Sequence, residues 1–185
     1  MDVTVEKFIA TVFEGIAPEE HVLLARQVDL EGGFQNAPWG EKAASRWFRS
    51  KLPGSIYFNV STVTEPEEQS PWRRRKEDCL AAYVLVLDDI GTKVSGQPSI
   101  DPSYKMETSA GNYQWGYLIQ PYENLERYAQ IVEALGELGY TDKGAGGYNR
   151  VMRIPGSVNI KPDRHLFCSR ITDWSPERIF ELDDL

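Results

Sequence analysis

Apolar residues in VEKFIATVFEGI recur at helical spacing: Val5, Phe8, Ile9, Val12, Phe13 and Ile16 share one face, and Pro18 follows. This predicts an amphipathic helix near the start of the chain. The next stretch, HVLLARQVDL, is short, rich in Val and Leu and closed by Gly32-Gly33, which suits a strand. A helix is expected over 41–51 and a strand over 55–63, where SIYFNVSTV alternates aromatic and branched residues. The run YVLVL is apolar at every position and predicts a strand buried on both faces. In NYQWGYLI, Tyr113, Trp115, Tyr117 and Ile119 alternate, so a further strand follows, and 123–138 then carries Leu125, Tyr128, Ala129, Val132 and Leu135 at helical spacing. VMRIPGSVNI and HLFCSRIT read as strands, with a turn or bulge at Pro155-Gly156, and Ser175-Pro176-Glu177 reads as the start of a last short helix. The mixture predicts an α+β or mixed α/β fold around a central sheet that is mainly antiparallel or mixed.

At 185 residues the chain suits one domain with a single core. Hydrophobic residues make up 41% and charged residues 26%, an ordinary globular composition. No apolar stretch approaches the roughly 20 residues that cross a bilayer, and the first residues are acidic where a signal peptide is basic. A soluble, intracellular protein without a membrane partner is expected. Cys79 and Cys168 are too few and too far apart for a disulfide framework or a zinc site, so no zinc is expected. The formal net charge of -8 excludes a protein that coats nucleic acid by bulk electrostatics, so any contact with a polyanion must be local. The one basic run is Arg73, Arg74, Arg75 and Lys76, after Trp72. By itself it reads either as a solvated loop or as a phosphate contact.

YVLVL ends in Asp88 and Asp89, then Ile90-Gly91-Thr92-Lys93. Burying a carboxylate costs several kcal/mol unless it is paired or holds a metal, so the pair reads either as a metal site or as a strand end reaching water. Successive side chains on a regular strand face opposite ways, so both acids can serve one site only if the chain leaves the pleat there. Gly91 makes that departure feasible.

Two more stretches carry candidate chemistry. In ETSAGNYQW, residues 107–115, a polar turn with Ser109 and Gly111 enters an aromatic strand; it suits either a hairpin connection or an anion cradle. TDKGAGGYNRVMRIPGSVNIKP, residues 141–162, combines Asp142, a glycine-rich segment, two arginines, and Asn159 and Lys161 after a Pro-Gly turn. It lacks the order of a P-loop, which argues against a nucleotide hydrolase of that type.

In this order the three stretches resemble the motifs of the primase-polymerase members of the archaeo-eukaryotic primase superfamily, near the plasmid RepB-type primases and related phage primases. LVLDD matches the first motif, TSAGNYQW the second, and the segment from Asp142 to Lys161, with RIPGSVNIK, the third. The likeness spans residues 72–162, about half the chain. It implies an RRM-like core over 72–185, a mainly antiparallel sheet flanked by helices, with 1–71 as an N-terminal α/β portion of one catalytic domain. It implies Asp88, Asp89 and Asp142 as catalytic carboxylates holding two Mg²⁺ or Mn²⁺ ions, and Ser109 and Gly111 against an incoming nucleoside triphosphate. Gln114 stands where many members carry His, as in RepB-like members; an amide carries no positive charge, which implies a weaker grip on phosphate. Arg153 and Lys161 are then expected on phosphate oxygens, with Asn159 orienting part of the nucleotide. Residues 73–76 become expected template or nucleotide contacts, and His165, beside Arg164, is expected at the surface. The resemblance thus implies a DNA primase or primase-polymerase acting on single-stranded DNA in phage or plasmid replication. It would work in the host cytoplasm, alone or with a replicative helicase domain or protein. The competing readings are a two-metal nuclease and a catalytically inactive nucleic-acid-binding initiator.

Overall fold

A computed structural model describes residues 3–49, 54–94, 96 and 98–185. The fold class is α+β, with two sheets that share one hydrophobic core. Chain order is α1 (Val5–Val12), β1 (Leu23–Gln27), β2 (Gln35–Pro38), α2 (Lys42–Arg49), β3 (Ser55–Asn59), β4 (Ser61–Val63), β5 (Cys79–Ile90), β6 (Tyr104–Ser109), β7 (Asn112–Tyr122), α3 (Leu125–Glu137), β8 (Val151–Arg153), β9 (Arg170–Trp174) and β10 (Ile179–Phe180). One sheet has the order β2-β1-β3-β8 and the other β4-β5-β7-β6-β9, with antiparallel neighbours throughout both orders. β10 adds to β7 in parallel.

The Thr4 hydroxyl accepts from the Lys7 amide and starts α1, whose buried face carries Phe8, Ile9 and Val12. This face joins the sheets. The Phe8 ring lies 5.4 Å from Phe58 on β3, 5.2 Å from Tyr104 on β6 and 6.1 Å from Trp174 on β9. α1 is shorter than the apolar pattern suggested, because the chain turns at Gly15 with φ 76. The expected helix over 41–51 is α2, and residues 50 and 51 lie outside the described residues.

YVLVL is the centre of β5, and Tyr83 to Leu87 are all buried. α3, started by the Asn124 side chain accepting from the Arg127 amide, covers this strand, and the Tyr128 hydroxyl donates to the Val84 carbonyl at 3.0 Å. On the neighbouring strand, Gly116 is required by close approach: a Cβ there would stand 2.1 Å from the Tyr104 ring.

Several expectations are corrected. The strand expected over 55–63 is two, β3 and β4, which change sheets around Val60. The expected division at residue 71 is crossed in both directions, since β4 belongs to the six-stranded sheet and β8 closes the edge of the four-stranded one. Only 151–153 of VMRIPGSVNI is a strand; past the turn at Gly156, Val158 makes a single bridge to Cys168. In place of HLFCSRIT, the strand is Arg170–Trp174, paired with β6, a strand absent from the apolar pattern because Lys105 and Glu107 interrupt it. The last helix is also absent. Ser175 starts a turn closed by the Arg178 amide on the Ser175 carbonyl at 3.1 Å, and Ile179–Phe180 pairs with Leu118 and Ile119. The physical reason is an open edge: β6 pairs with β7 only as far as Gly116, and the chain end supplies the partner that the rest of β7 lacks.

Both cysteines are free. Burial pushes the Cys79 thiol up to about 11, while Cys168 is exposed. Because the thiolate is the nucleophile, iodoacetamide in mildly alkaline buffer is expected to label Cys168 and spare Cys79 until the protein is unfolded, as read by peptide mass spectrometry.

Candidate active site

A polar pocket of about 230 Å³ opens where the ends of β5, β6 and β7 face β8 and the 157–161 segment. Asp88, Asp89 and Asp142 line it together with Lys93, Arg150, Arg153, Lys161 and Arg164. Five cations against three carboxylates make this a locally positive hollow in an acidic chain.

The adjacent aspartates reach one pocket because the strand breaks its pleat. Leu87 pairs with Trp115 and Ile90 with Tyr113, so Asp88 and Asp89 together oppose Gln114 alone. Asp89 takes φ 61, the left-handed region that a short polar side chain tolerates best after glycine. The turn that follows is held by the Thr92 and Val94 amides on the Asp89 carbonyl. Gly91, at φ 89, lets this turn nest against the β6–β7 turn, since a Cβ there would lie 2.6 Å from the Gly111 carbonyl oxygen.

Each acid has its own partners. Asp88 Oδ1 accepts from the Asp89 amide at 2.9 Å and from Gln114 Nε2 at 3.2 Å, and Oδ2 lies 3.5 Å from Arg150 Nη2. Burial and the neighbouring Asp89 charge raise its pKa, against the pull of Arg150. Asp89 accepts from Asn112 Nδ2 at 3.0 Å and pairs with Lys93 Nζ at 2.6 Å. Burial works to raise the Asp89 pKa, but Lys93 and Asn112 outweigh it and hold it below the ordinary value. Asp142 is tied to β5 through the backbone: its amide donates to the Asp88 carbonyl at 3.3 Å, and the Thr141 hydroxyl accepts from the Asp88 amide at 2.9 Å. Lys93 Nζ stands 3.6 Å from Asp142 Oδ1 and so lies between the second and third carboxylates.

Among the described residues, no three carboxylate, histidine or cysteine groups are close enough to hold a metal ion as they stand. The donor chemistry nevertheless suits a hard cation: adjacent carboxylates, one with its pKa raised by burial and then by the like charge beside it, and a lysine ammonium placed where positive charge is needed.

The other residues named from sequence divide into two groups. Ser109 and Gln114 line the pocket, and Ser109 Oγ and Gln114 Oε1 are buried with no hydrogen-bond partner among the described residues. Lys161 and Arg164 also line it, Lys161 exposed and Arg164 half-buried. Arg153 and Asn159 are committed to the framework. Arg153 Nη1 donates to Ser55 Oγ at 3.1 Å, and Asn159 Nδ2 donates to the Thr108 carbonyl at 3.2 Å. Gly111, at φ 70, shapes the β6–β7 turn and donates its amide to Glu107 Oε1 at 3.1 Å. His165 is exposed, in a left-handed turn beside the pocket.

The basic run 73–76 does not present four equivalent cations. Arg74 turns inward, its guanidinium 4.6 Å from the Phe34 ring and donating to the Asn149 carbonyl at 3.4 Å. Lys76 lies over Tyr148 at 5.5 Å. Arg75 pairs with Glu77 and Asp78, and Arg73 and Arg75 line a separate hollow that also holds Glu65 and Glu67.

Lys93, Asn112, Thr141 and Arg150 were not identified from sequence as site residues. A legible signal existed for Lys93, four residues past Asp89 across a glycine turn. For Arg150 there was none: of two arginines three apart, only the tertiary structure shows which one faces the carboxylates.

Glu107 anchors the turn that carries Ser109, accepting from Gly111 and pairing with Arg170 Nη2 at 2.7 Å. Burial works to raise its pKa, but the Gly111 amide and Arg170 overcome this and hold it below the ordinary carboxylate range. A depressed folded pKa means that the contribution is complete above the unfolded value of about 4.3 and is lost as pH falls through the folded one. Arg170→Ala is therefore expected to lower stability modestly near neutral pH, Arg170 being largely exposed, and to leave it unchanged at pH below the folded Glu107 value, as followed by circular dichroism melts at the two pH values.

No protein-family model matches the sequence, and no curated protein matches it. Solved structures do match the architecture. The archaeo-eukaryotic primase domain of the cyanophage S-2L primase-polymerase superposes with a TM-score of 0.71, covering 96% of this chain and 92% of that one at 10% identity. The fold is that of an archaeo-eukaryotic primase domain. The crystal structure of primase RepB′ superposes on this primase fold at 0.60, with 16% identity over 94% of this chain and 57% of that one. The catalytic domain of RepB′ in complex with initiator DNA superposes at 0.61, with 17% identity over 95% and 87%. At these identities the likeness establishes the primase fold.

Proposed function

We propose that the chain is the catalytic domain of a DNA primase or primase-polymerase, which joins nucleotides on a single-stranded DNA template. The observation that carries this reading is the break in β5 at Asp88-Asp89, which brings both carboxylates into one positively charged pocket on a primase fold. Asp88 and Asp89, with Asp142 across Lys93, would hold two Mg²⁺ or Mn²⁺ ions, which when bound lower the pKa of a 3′-hydroxyl and neutralise charge on a leaving pyrophosphate. Lys93 would give up its carboxylate contacts as that charge arrives, and its exposed side chain is free to turn out. Arg150 keeps Asp88 in place, Lys161 and the Arg164 N–H groups left over from its Asp163 pair at 3.1 Å offer donors for phosphate oxygens, and Ser109 Oγ and Gln114 Oε1 offer unused polar atoms to a nucleotide. Arg153 and Asn159 act at one remove, by holding the 157–161 segment against β3 and β6.

Incubation with a single-stranded template, Mn²⁺ and labelled nucleotides tests the reading. Extended products support it. A shortened template would assign a nuclease instead, and retention of DNA without turnover would assign an inactive binding protein.

A further inference from the structure

The carboxylates of the pocket are balanced by two cations of very different freedom. Arg150, at Asp88, has only 19% of its side chain exposed and also donates to the Gly144 carbonyl, so it is fixed. Lys93 has 65% of its side chain exposed, and its Nζ stands 2.6 Å from Asp89 and 3.6 Å from Asp142. Among the described residues it is the one cation in an ion pair with either acid. Its backbone, by contrast, is pinned. The Gly91 amide donates to the Val94 carbonyl and the Val94 amide to the Asp89 carbonyl. The Thr92 hydroxyl donates to Asn112 Oδ1 at 2.6 Å, and Asn112 Nδ2 in turn donates to Asp89. A flexible, exposed side chain thus turns on a fixed base, in the pocket that also holds Lys161 and Arg164.

We infer that Lys93 is a two-position cation: it holds Asp89 and Asp142 together until a divalent ion takes those carboxylates, then turns to the phosphates of the nucleotide, so that metal and nucleotide load cooperatively. The inference rests on the nucleotidyl-transfer reading, and adds to it a destination for the displaced ammonium and a coupling between the two ligands. Two carboxylates facing one another repel, so positive charge is needed between them; the same charge left in place would repel an arriving divalent ion. Arg150, held by a second bond, stays where it is. A lysine ammonium is a compact charge on a flexible stem with three rotatable donors, and the phosphate oxygens of a triphosphate are strong acceptors for it. A lysine serving only its own turn would need Asp89 alone, whereas Lys93 also reaches Asp142, an acid from a separate segment.

The test is Mn²⁺ titration of the full chain without nucleotide or DNA, followed by electron paramagnetic resonance of the unbound ion. Lys93→Met, which keeps the stem and removes the charge, is expected to bind Mn²⁺ about tenfold more tightly than the wild type, the order of releasing two exposed ion pairs. Lys93→Arg, which keeps the charge, is expected to stay near the wild type. At saturating Mn²⁺, calorimetry with a non-hydrolysable nucleoside triphosphate is expected to show the opposite sign, with binding to Lys93→Met about tenfold weaker, the order of one lost charged hydrogen bond. A merely structural ion pair would not move the two affinities in opposite directions. Mn²⁺ binding by Lys93→Met no tighter than by the wild type would overturn the inference and leave the metal reading standing. Tighter Mn²⁺ binding with unchanged triphosphate affinity would overturn it too, since Lys93 would then only obstruct the carboxylates. Absence of Mn²⁺ binding in the wild type and both variants would overturn the two-metal reading and the inference with it, so the two failures are told apart.

Discussion

Asp88→Asn and Asp89→Asn are each expected to reduce primer synthesis on the order of a thousandfold or more, the scale of loss when a group that acts as part of a unit is removed. Asparagine keeps the size and one acceptor oxygen but removes the charge that two metal ions would need in the proposed reaction. The substitutions differ in their effect on folding. Asp88 is half-buried beside another acid with its pKa raised, so neutralising it should relieve desolvation and repulsion, and the melting temperature of Asp88→Asn is expected to hold or rise. Asp89 is held ionised by Lys93 and Asn112, so Asp89→Asn loses a favourable pair, and its melting temperature falls slightly, the pair being partly screened by solvent. Extension assays beside thermal melts separate lost chemistry from lost structure. Synthesis at the wild-type rate in both variants would sink the site assignment.

Phe8→Ala carries the largest expected cost in stability. The ring is fully buried and touches Phe58 in one sheet and Tyr104 and Trp174 in the other. Truncating a buried Phe costs about 3–5 kcal/mol, and at this chain length each kcal/mol lowers the melting temperature by about 2–4 °C, so a fall of about 6–20 °C is expected. Because the candidate site is assembled from both sheets, activity should disappear at a correspondingly lower temperature. Leu138→Ala is the control: Leu138 is 71% exposed, and its removal should leave the melt within about a degree. A Phe8→Ala melt as close as that to wild type would show that α1 does not hold the sheets together.

Strong local patterns were readable. YVLVL had to be a doubly covered strand, and the 125–137 helix had to show one apolar face, because each pattern has one way to bury its apolar side. Patterns that depended on a distant partner were not readable. β6 carries Lys105 and Glu107 within the strand, stabilised by Trp115 beneath the lysine at 4.2 Å and by Arg170 on the glutamate. Ile179–Phe180 became a strand and not a helix because β7 had an unpaired edge there. Sequence order likewise placed Arg153 among the phosphate contacts, whereas packing turned it into the framework and left Arg150 facing Asp88.

The sequence by itself determined the chemistry available: two adjacent acids at the end of a rigid strand, a serine turn, a third acid and a basic segment, in an order that named the fold. It also exposed the difficulty, since adjacent residues on a pleated strand face apart. Only the tertiary structure resolved that difficulty. Pairing with β7 gave β5 one residue more than its partner, and the bulge turned Asp89 into a left-handed conformation that places both carboxylates in one pocket. The physical reason is that a bulge belongs to a pair of strands, so it can be read only when the partner strand and its register are known.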